Sequence, residues 1–315
     1  MALGAAGACT ALPALAQTKF PARPIRIVVG LPAGGAADVV VRLVAEQMEK
    51  SLGQPIIVEN KPGGLYQLAV QSVLSAPADG HTLLYVNSSF VAVQAVQQRF
   101  NLLRDFEPLI KTGETPSVVV VSAKSPFKSM KDLVDYGRAN PGKLTYATLG
   151  VGSSEHLNQL ALEQAAGFQG LAVPYKGGPD MVNAVMAGEI DYTMVNILTA
   201  MQFIPSGKLR ALAARNSARV GRLPDVPTLE EAGIRLTSLR LWSGYMVRAG
   251  TPVSVSEVLA RSIATAVNTP SVAERLTAYG LVHSLSAHPA DFRKLIESDL
   301  ASSTELAKRL DISKR

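Results

Sequence analysis

The stretch from Ile25 to Lys50, IRIVVGLPAGGAADVVVRLVAEQMEK, constrains the fold more than any other part of the chain. Ile25, Ile27, Val28 and Val29 form a short β-branched run, the pattern of a strand covered on both faces. Gly30 to Gly35 hold three glycines and a proline, a density that no ordinary helix or strand carries. From Ala36 onward Val40, Leu43, Val44 and Met48 recur at spacings of three and four, with Arg42, Glu46 and Glu49 between them, which predicts an amphipathic helix. A strand feeding a glycine-rich turn and then a helix leaves backbone N–H groups free at the helix start. The helix dipole adds partial positive charge there, so the turn suits a carboxylate, phosphate or sulfate. The plainer alternative is a tight βα connection and nothing more.

The same order continues. Pro55 to Glu59 reads as a second strand, residues 61–64 as its loop, Leu68 to Leu74 as a helix, and Thr82 to Val86 as a third strand ending at Asn87-Ser88-Ser89. This βαβαβ series predicts a mainly parallel sheet flanked by helices. Val91 to Gln98 reads as a helix and Ser117 to Ser122 as a strand. Then the pattern restarts: strand Lys143 to Thr148, loop 149–154, helix Glu155 to Ala166, strand Leu171 to Pro174, loop 175–178, helix Met181 to Ala187. ADGHTLLYVN (78–87) and AGEIDYTMVN (187–196) align as third strands, each ending on an asparagine. Two similar α/β halves suggest two lobes, and ligands of open parallel sheets lie beyond the carboxyl ends of the strands. The loops 30–36, 61–64, 149–154 and 175–178 would then share one cleft, with Asn87, Ser88 and Asn196 at its walls and Tyr175 and Lys176 at one loop. Residues 239–247 would return the chain to the first lobe, ahead of helices at 254–268, 272–279 and 289–310. The expected division is lobe 1 at 17–122 plus 240–315 and lobe 2 at 123–239, with a hinge near 120–125 and 238–247.

Residues 1–16, MALGAAGACTALPALA, carry no charge and end in a small-x-small step before Gln17, the pattern of a secretory signal cleaved near Ala16. A positive n-region is missing, which leaves open a start upstream of Met1. Cys9, the single cysteine, would leave with that segment, so disulfide and thiolate chemistry are not expected in the mature chain. No later apolar run reaches the roughly 18 residues of a membrane span. With 47% hydrophobic and 18% charged residues the chain is globular. The net charge of +6 is scattered without a basic run, and aromatics are only 5%, so no nucleic-acid surface is expected.

Several stretches in order carry a family resemblance: PARPIRIVVGLPAGGAAD, LGQPIIVENKPGG, NPGKLTYATLGVGSSEHL, VPYKGGPDMVNAVMAGEID, LPDVPTLEEAG and LWSGYMVRAGTP. The chain resembles the periplasmic solute-binding receptors of tripartite tricarboxylate transporters, the Bug or TctC-like family. That resemblance implies an α/β two-lobed Venus flytrap, a small carboxylate as ligand, the membrane subunits of a transporter as partner, a periplasmic monomer, and neither enzymatic activity nor a cofactor. It also implies that backbone amides of two loops hold the carboxylate: Leu31, Ala33, Gly34, Gly35 and Ala36 from one lobe, Gly152, Ser153 and Ser154 from the other. The chain departs from the family in two places. Leu31 stands where an aromatic is common, and PGGLY replaces PGAGG, so Tyr66 enters a position usually left open.

Ser153 and Ser154 sit at an expected N-cap, where a hydroxyl satisfies its own helix or touches a ligand. Asp38, in a first helical turn, is expected to complement the dipole. An exported serine hydrolase using Ser153, Ser154 and His156 is the alternative from another class, although no G-x-S-x-G elbow is present and residues two apart on a helix do not face each other. A carboxylate-sensing receptor for a signalling kinase would use the same cleft. The four histidines are too dispersed for a metal set. Trp242 reads equally as hinge core or cleft wall.

Overall fold

The computed structural model describes residues 20–278 and 281–312; the expected signal at 1–16 and the end of the 272–279 helix at Tyr279 lie outside them. The first half-repeat is β1 (Ile25–Val29), α1 (Ala36–Leu52), β2 (Ile56–Asn60), α2 (Gln67–Leu74), β3 (Thr82–Asn87) and α3 (Ser88–Gln97). A short α4 (Leu102–Asp105) and β4 (Phe106–Glu114) lead to β5 (Ser117–Ser122) and α5 (Met130–Ala139). The second half-repeat is β6 (Leu144–Thr148), α6 (Ser154–Ala166), β7 (Gly170–Pro174), α7 (Gly178–Ala187), β8 (Tyr192–Asn196) and the one-turn α8 (Ile197–Ala200). Then come β9 (Leu209–Arg215), β10 (Trp242–Arg248), α9 (Val253–Asn268), α10 (Pro270–Ala278), β11 (Val282–His283) and α11 (Pro289–Arg309).

Two sheets form, in the orders β11-β4-β10-β3-β1-β2 and β7-β6-β8-β5-β9. The repeat inferred from the two decamers is real at the level of topology, because β2-β1-β3 and β7-β6-β8 are equivalent parallel triplets. Both sheets are mixed where the half-repeats predict them mainly parallel. β10 runs antiparallel between β3 and β4, and β5 antiparallel between β8 and β9. The antiparallel strand beside each triplet is the first one the chain adds after passing between lobes. Ser117–Ser122 therefore belongs to the second sheet, and the first crossing is Thr115-Pro116, upstream of the expected 120–125. The return passes through 216–241, and β10 joins the first sheet as expected.

Each central strand is buried on both faces, with successive side chains entering different cores. In β1, Ile27 and Val29 pack with α1 and α9, while Val28 faces α2, α3 and α11. In β5, Val119 and Val121 lie in one core and Val118 and Val120 in the other. A fifth apolar cluster ties the lobes together: Ala92 of α3 and Leu306 of α11 pack on Leu157, Leu160 and Ala161 of α6.

Candidate ligand-binding cleft

The β1–α1 turn is held by a network that its own sequence supplies. Asp38, only 4% exposed, accepts from the Gly34 N–H at 2.9 Å and from Arg42 Nε at 3.0 Å. Arg42 also donates to Asn60 Oδ1, and Asn60 Nδ2 donates to the Leu31 carbonyl, both at 3.1 Å. Burial alone would push the Asp38 carboxyl up, but the Arg42 and Gly34 donors outweigh it and hold it below the usual aspartate range. Asp38 therefore braces the turn, as well as complementing the dipole. Gly35 is the N-cap with no side-chain bond, and the first intrahelical bond runs from Val39 N to Gly35 O. By helix geometry the N–H groups of Ala36 and Ala37 are left over, and both residues line an interlobe cleft.

That cleft encloses about 760 Å³ of empty space, its open mouth included. Leu31, Pro32, Val40, Tyr85 and Trp242 from lobe 1 and Leu149, Pro179, Met181 and Leu198 from lobe 2 give it apolar walls. The lobes touch around it. A Cβ on Gly177 would lie 2.7 Å from Pro32, one on Gly35 would lie 3.4 Å from Pro179, and one on Gly150 would lie 2.9 Å from Leu65.

Asn87 and Asn196 occupy equivalent strand ends in the two half-repeats, and both line the cleft. Each commits its side-chain oxygen to a cap: Asn87 Oδ1 accepts from Ser89 N at 3.1 Å, and Asn196 Oδ1 from Leu198 N at 2.9 Å. Only the oxygen can accept, so the capping bond fixes the orientation of each amide. That leaves the Nδ2 of each amide as a donor, one from each lobe; the Asn87 amide lies within reach of the Tyr66 hydroxyl, and among the described residues no partner is seen for Asn196 Nδ2.

Of the other residues expected at the site, Leu31, Gly35, Ala36 and Ser88 also line this cleft. Ala33 and Gly34 are exposed beside it, and the Gly34 N–H is taken by Asp38. Tyr175 and exposed Lys176 lie on a separate interlobe groove with residues 63–66. The loop before α6 is occupied by the protein itself. Gly152 N donates to His156 Nδ1 at 3.3 Å, Ser153 N to Gly150 O at 3.1 Å, and Ser154 N to Ser89 Oγ at 3.2 Å. Ser153 caps α6 through the His156 N–H and donates its own hydroxyl to Gly150 O. The Ser154 hydroxyl meets Ser88, Ser89 and Glu155, so neither serine donates to His156, as a hydrolase would require.

On the lobe 2 side the open helix start is that of α7, where Gly178 follows N-cap Gly177 and lines the cleft with Pro179 and Thr199. Sequence reading missed this, because Gly177-Gly178-Pro179 is as cleanly a turn as a helix start. It also missed Thr115 at the crossing, Ser243, and Glu155, which faces the cleft from the first turn of α6. Burial pushes the Glu155 carboxyl up, although hydroxyls of Ser89 and Ser154 donate to it. Trp242 combines the two roles open to it: it stacks edge-on to Phe292 at 5.2 Å, donates Nε1 to Asp299, and presents its remaining surface to the cleft. Tyr66 fills the core beneath α3, stacked on Phe90 at 4.1 Å. Among the described residues no group of three His, Cys, Asp or Glu is placed to hold a metal, and no helix is long and apolar enough to cross a membrane.

A two-lobed α/β chain with a backbone-lined cleft between equivalent strand ends has known counterparts. The model of the tripartite tricarboxylate transporter family receptor matches residues 40–312. The chain belongs to that family. A curated relative from Pseudomonas sp. (strain P51), the UPF0065 protein in the tcbD-tcbE intergenic region, is 36% identical over 265 residues, covering 83% of this chain and 79% of the relative. Among solved structures, the periplasmic binding protein BugD superposes with a TM-score of 0.87 at 29% identity, over 93% of this chain and 99% of BugD. Rpa4515 of R. palustris with adipate gives 0.88 at 26%, over 93% and 98%. MatC of Rhodopseudomonas palustris with bound malate gives 0.84 at 28%, over 91% and 99%. The family resemblance and the two-lobed fold expected from sequence are thereby established for this receptor. Its family members are solute-binding proteins, and carboxylates occupy two of its structural neighbours.

Proposed function

We propose that this receptor is exported by cleavage near Ala16, captures a small carboxylate as a monomer in the periplasm, and delivers it to membrane subunits of a tripartite transporter. The observation that carries the reading is the pair of amide side chains, Asn87 from lobe 1 and Asn196 from lobe 2, that line the cleft beside the first-turn amides of α1 with their oxygens already fixed by capping bonds. A solute carboxylate at the α1 start gains roughly 0.3–1 kcal/mol from the dipole, up to about 2 when partly buried. Each hydrogen bond to its charge adds about 1.5–3 kcal/mol. Together these reach the roughly −8 kcal/mol of a micromolar ligand. Thr115-Pro116 and the segment ending at Leu241 serve as the hinge, and a solute bridging both lobes favours the closed form.

A thermal-shift screen over aliphatic and aromatic carboxylates, followed by calorimetry, tests the reading. Asn87→Asp and Asn196→Asp keep the capping oxygen but replace the donor with an acceptor. Each variant is expected to melt within a few degrees of the parent and to lose at least tenfold in affinity. Parental affinity in both variants, or turnover of the carboxylate by the parent, refutes the proposal.

A further inference from the structure

Glu155 is the one acidic or basic side chain among the described residues that line the cleft. Its direct hydrogen-bond partners are neutral. One oxygen accepts from the Ser89 hydroxyl across the lobe interface and from the Ser154 hydroxyl at 3.3 Å, and its own backbone N–H adds a third bond. Half-buried Arg215, which lines an adjoining groove, acts on Glu155 only through its field, because its guanidinium is directed at Ser117 Oγ (2.9 Å) and Ser238 Oγ (3.3 Å). Among the described residues no basic side chain lines the cleft to pair with a second solute carboxylate. A carboxylate has about four acceptor positions, so Glu155 retains capacity toward the cavity it faces.

We infer that Glu155 selects a solute carrying a carboxylate at one end and an ammonium group at the other, and discriminates against dicarboxylates of the same length. The inference rests on the carboxylate-receptor reading. The solute carboxylate takes the Ala36 and Ala37 amides and the asparagine donors, and the ammonium donates to Glu155. A dicarboxylate would set its second carboxylate against the Glu155 carboxyl between largely apolar walls, where like-charge repulsion is screened less than in bulk water.

Matched pairs decide the matter: succinate with 4-aminobutanoate, glutarate with 5-aminopentanoate, and adipate with 6-aminohexanoate, titrated calorimetrically into the full-length mature protein and into Glu155→Gln. Glutamine keeps an acceptor for Ser89 and Ser154, and an unchanged melting curve verifies the fold. In the parent the best-binding amino acid is expected to bind at least tenfold more tightly than its dicarboxylate. In Glu155→Gln that ratio should fall at least tenfold. The inference is overturned if a dicarboxylate binds the parent as tightly as its amino partner, with or without proton uptake, or if the ratio survives the substitution. In those cases the carboxylate-receptor reading still stands. Absence of binding by both series in both proteins likewise overturns the inference, and the carboxylate-receptor reading is then decided by the wider screen of aliphatic and aromatic carboxylates.

Discussion

Gly177→Ala tests whether the approach of the two lobes is part of ligand capture. Gly177 has φ of −169°, extended backbone that alanine adopts freely, so the substitution adds no local strain. Its new Cβ would lie 2.7 Å from both Cδ and Cγ of Pro32 in the opposite lobe. Carbon atoms rest at about 3.5–4.0 Å, so the surfaces must part by roughly 1 Å. The proline ring cannot swing aside as a long side chain would. Overpacking of this kind costs about 1–3 kcal/mol, and here it falls on the closed form alone. At about 1.4 kcal/mol per decade, affinity should drop roughly 5- to 150-fold, while the ligand-free melting temperature stays near the parental value. Gly221→Ala is the control, since a Cβ there meets nothing within 4 Å. Calorimetry with any carboxylate that stabilises the parent supplies the readout. Parental affinity in Gly177→Ala would refute the argument that capture requires this seam to close.

Two further outcomes follow from the loops. The Asp38 carboxylate is held below its ordinary range, so its stabilisation is complete above the unfolded value of about 3.9 and is lost as pH falls through the lower folded value. Replacing it as Asp38→Asn should cost roughly 1.5–3 kcal/mol near pH 7, toward the lower end because Arg42 is half-exposed. Thermal melts from neutral to strongly acidic pH should show the gap between parent and variant closing as pH falls, and a constant gap would contradict the assignment. Ser153→Ala removes the α6 cap and should lower stability by about 0.5–2 kcal/mol, measured by urea melts, with ligand affinity changed less than threefold. A large selective loss of binding would show instead that Ser153 touches the solute.

The first strand, its glycine turn and α1 were legible in sequence because strand, turn and helix periodicity are all local properties. So was the repeat, since ADGHTLLYVN and AGEIDYTMVN end on the two asparagines that reach the cleft. What happens at the amides before α6 was not legible. Ser154 N–H is taken by Ser89, 65 positions away on the other lobe, and no pattern along the chain registers such a contact. The same holds for the sheets: their parallel triplets follow from βα alternation, while the antiparallel neighbours β5 and β10 depend on where the crossing chain is inserted. In the sequence Glu155 marks only the start of a helix. Only the approach of two distant surfaces placed it alone among the acidic and basic side chains described at the cleft, because burial and electrostatic environment belong to the packed molecule and not to the order of its residues.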